Sequence, residues 1–180
     1  MVQSHKGCFA GNGVFRSTPG RQRRPLGVFN QTIMKVIKGD LIELAFDGVF
    51  DVILHGFNCQ CVMGAGIAKV IKKQFPDAYD ADINTHKGDK SKLGSISLAT
   101  VNVEKGELII VNGYTQFHWL GSGVLVDYEA IRSVMKNVKS KFSGKRIGYP
   151  RIGAGLAKGD WEIIAQELKG ENHTLVEFSQ

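Results

Sequence analysis

The sequence predicts an α/β fold in three layers, with helices on both faces of a mixed central sheet. Short apolar runs of strand length alternate with stretches whose apolar residues recur at helical spacing, in the order β-β-α-α-β-β-α-β-α-β. Two strand runs are joined by Glu104-Lys105-Gly106, a tight turn that makes a hairpin and hence a sheet of mixed direction. Two glycine-rich segments, Asn58 to Ala68 and Tyr149 to Leu156, each leave a strand end and enter a helix-like pattern.

The elements follow in order. Lys35-Val36-Ile37-Lys38 reads as a short strand ended by Gly39-Asp40. Asp51 to His55 is a continuous apolar run, as expected of a strand buried on both faces. After the first glycine segment, Ile67, Val70, Ile71 and Phe75 fall at helical spacing with Lys69, Lys72 and Lys73 on the wet face. Pro76 ends that helix, and Asp77 to about Asn84 forms another. Gly94 to Val103 and Glu107 to Asn112 are the strands of the hairpin, and 115–126 is a loop. Asp127 reads as the N-cap of a helix carrying Ile131, Val134, Met135 and Val138. Arg146 to Tyr149 is a strand, with Tyr149 as buried scaffold. Gly159-Asp160 opens a short helix through Trp161, Ile164 and Leu168, and His173 to Phe178 closes the chain as a strand.

With 180 residues, the chain is long enough for one domain with a real core. Its net charge of +6 resides mostly in residues 1–33, where Lys6, Arg16, Arg21, Arg23 and Arg24 stand without an acid. Those residues read as a disordered basic leader or a non-native extension, leaving 34–180 as a single, nearly neutral domain. A duplex-binding surface would place basic side chains on the folded body, so charge argues against that class. No run reaches the roughly 20 apolar residues that span a bilayer, and no membrane partner is expected. Cys8, Cys59 and Cys61 read as free thiols of a reducing cytoplasm rather than a disulfide framework or a zinc site.

The chemistry is concentrated in the glycine segments. Main-chain N–H groups at a strand-to-helix turn point outward, and glycine lets a ligand approach closely. Gly64, Ala65, Gly66, Ile67 and Ala68 in one segment, and Pro150, Arg151, Ile152, Gly153, Ala154, Gly155 and Leu156 in the other, can together hold two phosphates, or a phosphate and a sugar. In open α/β sheets such turns converge beyond the carboxyl ends of the strands. No cluster with metal-ligand spacing accompanies them, so neither a metal nor a cofactor is expected.

The chain resembles a macrodomain, the ADP-ribose-binding α/β/α module, from Met34 to Phe178. The resemblance is carried by Lys38-Gly39-Asp40-Leu41, His55-x-x-Asn58, Gly64-Ala65-Gly66-Ile67-Ala68, Pro150-Arg151-Ile152-Gly153-Ala154-Gly155-Leu156 and Gly159-Asp160-Trp161, in that order. It implies that Asp40 accepts from the adenine amine, with the main chain beside it at Leu41 completing the adenine edge, and that the two glycine segments wrap the diphosphate. It also implies that Asn58 holds the distal ribose. Within the family, the pattern resembles the branch that processes ADP-ribose 1″-phosphate. The implied catalytic set is His55 as proton-transfer group, Asn58, and Asp160 orienting a water. For His55 the alternative is a packed histidine, and for Asp160 a helix N-cap. Members that remove ADP-ribose from carboxylates use a lysine and an aspartate where this chain has Gln116 and Ala157, which argues against a lysyl intermediate. Three functions follow: a monomeric ADP-ribose 1″-phosphate phosphatase, a non-catalytic ADP-ribose reader, or a hydrolase of ADP-ribosylated macromolecules, including nucleic-acid ends.

Overall fold

A computed structural model describes residues 34–179; the leader expected at 1–33, and Cys8 with it, lie outside the described residues. The strands are β1 (Lys35–Lys38), β2 (Val52–Asn58), β3 (Ile96–Val103), β4 (Gly106–Gln116), β5 (Ile147–Tyr149) and β6 (His173–Glu177). The helices are α1 (Leu41–Phe46), α2 (Gly66–Gln74), α3 (Pro76–Ile83), α4 (Tyr128–Lys141) and α5 (Trp161–Leu168). The strands form one six-stranded sheet in the order β1-β6-β5-β2-β4-β3. Every neighbouring pair is parallel except the β3–β4 hairpin.

Side chains alternate across the sheet, and the two cores follow from that alternation. Val52 and Leu54 of β2 face one way, onto Ile131, Val134, Met135 and Val138 of α4 and Ile164 and Leu168 of α5. Ile53 between them faces the other way, onto Leu41, Ile42 and Ala45 of α1, Ile71 of α2 and Ala78 of α3. Burying side chains of this size contributes roughly 1.5–3 kcal/mol each, so the three-layer arrangement is held chiefly by these two cores. Tyr149 is fully buried, and its hydroxyl donates to Leu168 O at 2.7 Å, which satisfies the polar end of a core residue.

The structure departs from the sequence-based expectation at three places. Residues 41–46 form helix α1, which the sequence-based order of elements did not contain, because Asp40 caps it: Oδ1 accepts from Ile42 N at 2.7 Å and from Glu43 N at 3.3 Å. Strand β2 runs past His55 to Asn58, and β4 runs past Asn112 to Gln116, because the two pair in register from Val52–Ile109 to Phe57–Tyr114. On α2, Ile71 is buried and Val70 is 42% exposed, so the apolar stripe is narrower than the sequence pattern implied.

Candidate functional site

A groove of about 940 Å³ opens beyond the carboxyl ends of β2, β5 and β6. Its floor is bare main chain. A side chain on Gly56 would sit 2.8 Å from Thr115 Oγ1 and 2.9 Å from Ile152 Cγ2, so only glycine leaves the end of β2 open. The first glycine segment lines one wall with Gly64, Ala65, Gly66, Ile67 and Ala68, and the second lines the other with Pro150, Arg151, Ile152, Gly153, Gly155 and Leu156. The walls meet: a Cβ on Gly66 would lie 3.6 Å from Leu156 Cδ1.

The electrostatics of this groove come chiefly from the main chain, because the charged side chains that line it, Arg151 and Glu177, are paired with each other. Helices α1, α4 and α5 are each capped by an aspartate side chain, Asp40, Asp127 and Asp160. The first turn of α2 has no side-chain cap, and its residues Gly66, Ile67 and Ala68 line the groove. Uncapped N–H groups and the positive end of the helix dipole together favour an anion there. Across from them, Gly153 holds φ +72, and the turn is closed by Gly159 N donating to Gly153 O at 2.8 Å. The amides of Gly155 and Leu156 have no partner among the described residues.

Asn58 lines the groove at the end of β2 and shapes the first segment. Its Nδ2 donates to Val62 O at 2.8 Å, and its Oδ1 accepts from Gln60 N at 3.0 Å and Val62 N at 3.3 Å. One amide hydrogen remains to reach a ligand. Arg151 is held at the rim by Glu177, with Nη2 to Oε1 at 2.6 Å, and lies over the Trp161 ring at 5.2 Å. Trp119 also lines the groove, stacked on His118 with ring centroids 4.3 Å apart.

Four expected site residues lie elsewhere, and a fifth stands beside the groove. His55 is fully buried in mid-strand, and its Nε2 is 2.7 Å from Asn112 Oδ1. Because Asn112 Nδ2 donates to Ala78 O and Ser97 Oγ, its Oδ1 is the acceptor and His55 Nε2 carries the hydrogen. Burial holds the His55 pKa below its usual value, so the ring is neutral, and it does not line the groove. That position suits the packed alternative rather than proton transfer to a ligand. Asp160 spends its carboxylate on Glu162 N at 2.8 Å as the α5 cap and does not line the groove. Leu41 is buried in the α1 core, and Ala154 packs on the α4–α5 core. Asp40 stands next to the rim, since Gly39 N donates to Glu177 O at 3.0 Å.

Sequence reasoning missed Thr115, Val176 and Phe178, all of which line the groove. Phe178, 70% exposed, is an aromatic set just past the carboxyl end of β6, and that position was the available signal. Gln116 and Ala157, the departures from the lysine-using pattern, both line the groove as well.

Residues 54–168 match the Macro domain family. The chain belongs to the macrodomain family. A relative in Enterobacteria phage T4, described as an uncharacterized 17.5 kDa protein in the tk-vs intergenic region, is 38% identical over 137 residues, which is 73% of this chain and 85% of that protein. The DNA ADP-ribosyl glycohydrolase of Mycobacterium tuberculosis is 25% identical over 130 residues, and this macrodomain spans 36% of its length. The solved structure of Thermosipho africanus DarTG in complex with ADP-ribose has the same fold, with a TM-score of 0.59 at 20% identity over 83% of this chain and 43% of that one.

Proposed function

We propose that this macrodomain binds ADP-ribose in the groove and hydrolyses ADP-ribose 1″-phosphate to ADP-ribose and phosphate. The observation that carries the binding is the meeting of the two glycine walls, Gly66 beside Leu156, with uncapped amides on both sides. A diphosphate between them is met by N–H dipoles, while the Arg151 guanidinium in the wall is already paired with Glu177. Asp40, beside the rim, accepts from the adenine amine with the carboxylate oxygen that the α1 cap leaves free, and Phe178 and Trp119 offer faces for rings. The remaining Asn58 amide hydrogen reaches the distal ribose.

With His55 buried and Asp160 capping a helix, hydrolysis rests on a water held by the groove and on charge stabilisation by main-chain amides. Turnover is therefore slow. The test is free phosphate released from ADP-ribose 1″-phosphate by the full chain, against a Gly66→Glu variant as control. Release above the control supports the reaction; binding of ADP-ribose without release leaves a reader, and neither binding nor release overturns the proposal. A second reading, removal of ADP-ribose from DNA, is favoured by the similarity to the mycobacterial glycohydrolase. Assaying ADP-ribosylated DNA in parallel distinguishes the two. The groove glutamine Gln116 predicts that no lysyl intermediate is trapped by borohydride.

A further inference from the structure

Behind the first glycine segment lies a polar cluster that ligand binding does not use. Lys92 ends the short 3-10 turn Lys90–Lys92 and is buried, with its side chain 7% exposed against a fully buried Asp82. Its Nζ lies 3.4 Å from Asp82 Oδ1 and 4.3 Å above the Tyr114 ring, and Tyr114 itself donates to Asp82 Oδ1 at 2.8 Å. The same Nζ is 3.3 Å from Cys61 Sγ. Cys61 is half-buried and holds φ +55, a left-handed conformation uncommon for a residue with a side chain. Its neighbour Val62 is gripped by Asn58 and lines the groove. A buried amine and a reachable thiol thus meet at van der Waals distance on a strained turn.

We propose that Cys61 and Lys92 are a peroxide-dependent cross-linking pair. The Cys61 thiolate attacks hydrogen peroxide, an S–O bond forms as the O–O bond breaks, and the thiol becomes a sulfenic acid with loss of water. Lys92 Nζ then attacks that sulfur. One ammonium proton passes to Asp82, the S–O bond breaks, and the hydroxyl leaves as water with a second amine proton. The product is a sulfenamide joining Sγ to Nζ. One peroxide is reduced for the two electrons the sulfur loses, so the sequence balances. The proton acceptor is in place: Asp82 Oδ2 has no hydrogen-bond partner among the described residues. Protonating it as Lys92 becomes neutral leaves no unpaired charge in the core, the costly outcome. Cys59 is the poorer nucleophile, because burial pushes its thiol up to about 11.

The cross-link ties the loop at 59–62 to the turn at 90–92, and so clamps the wall that begins at Gly64. The chemistry stands apart from ligand binding and does not rest on the proposed function. The full chain is treated with hydrogen peroxide, digested and mapped by mass spectrometry. The expected result is a Cys61–Lys92 linked peptide lighter by two hydrogens than the sum of its parts, released by a thiol reductant. A Lys92→Arg variant, which keeps the charge beside Asp82, loses the link and accumulates sulfenic or sulfinic acid at Cys61. A peroxide-treated chain whose Lys92 peptide stays free, or whose Cys61 links to Cys59 instead, overturns the proposal, whether or not the chain binds ADP-ribose.

Discussion

Glycine positions set the shape of this groove, and they carry the sharpest predictions at the scale of single residues. Gly66 holds φ +55 at the uncapped start of α2, facing Leu156. Gly66→Glu places a carboxylate where the diphosphate would lie and forces a side chain into a left-handed backbone. ADP-ribose affinity by calorimetry falls at least about 100-fold, or roughly 3 kcal/mol, while the variant keeps its helical spectrum. His55→Ala has the opposite profile. It removes a buried ring hydrogen-bonded to Asn112 and destabilises the fold by about 2–3 kcal/mol in urea melts, yet the folded variant binds ADP-ribose within a few-fold of the parent. A variant of unchanged stability that fails to bind would put His55 in the ligand site after all. The sequence misled here for a definite reason. The apolar run ends at His55, which therefore reads as a strand end, but pairing with β4 continues to Asn58 and puts the imidazole in mid-strand. The place of Asn58 and the glycines along the groove was legible because it depends on main-chain turns, which local sequence specifies.

At the scale of elements, the order of strands and helices was readable from periodicity, and the shortest helix was not. α1 has six residues, too few to show a helical stripe. Its signal was the spacing of Asp40 and Glu43, an acidic N-cap followed three residues later by glutamate. β4 is cut short in the sequence by Gly113, normally a poor strand residue. The structure requires it, because a Cβ there would lie 2.8 Å from Val134 Cγ1 of α4. The Asp160 alternatives separate at this scale. As the cap of α5, Asp160→Ala costs about 1 kcal/mol of stability in a thermal melt and leaves ADP-ribose affinity unchanged. Loss of affinity with no loss of stability would return it to the site.

Among the described residues two histidines, His55 and His173, are buried, and they set the response of the folded part to acid. Burial, helped by the Lys139 ammonium, pushes His173 down to about 4, and burial lowers His55 as well. In the unfolded chain both titrate near 6.5. Between those values the unfolded state binds more protons than the folded one, so stability is present above roughly pH 6.5 and drains as pH falls toward 4. For His173 the loss is on the order of 2–3 kcal/mol, visible as a falling melting midpoint from about pH 7 to about pH 4.5. A midpoint flat across that window would mean that the imidazoles are not buried as described. A packed histidine was one of the two readings of His55, but burial of His173 was not legible, since it depends on how the cores close over the sheet. No described helix is long and apolar enough to cross a membrane.

Ligand binding by this macrodomain depends above all on two separate turns acting as one anion cradle. A crystal structure with ADP-ribose tests that directly through the distances from phosphate oxygens to main-chain nitrogens. The predicted result is a diphosphate within hydrogen-bond range of amides from both 64–68 and 153–156. A nucleotide bound elsewhere, or held by one turn alone, would contradict it.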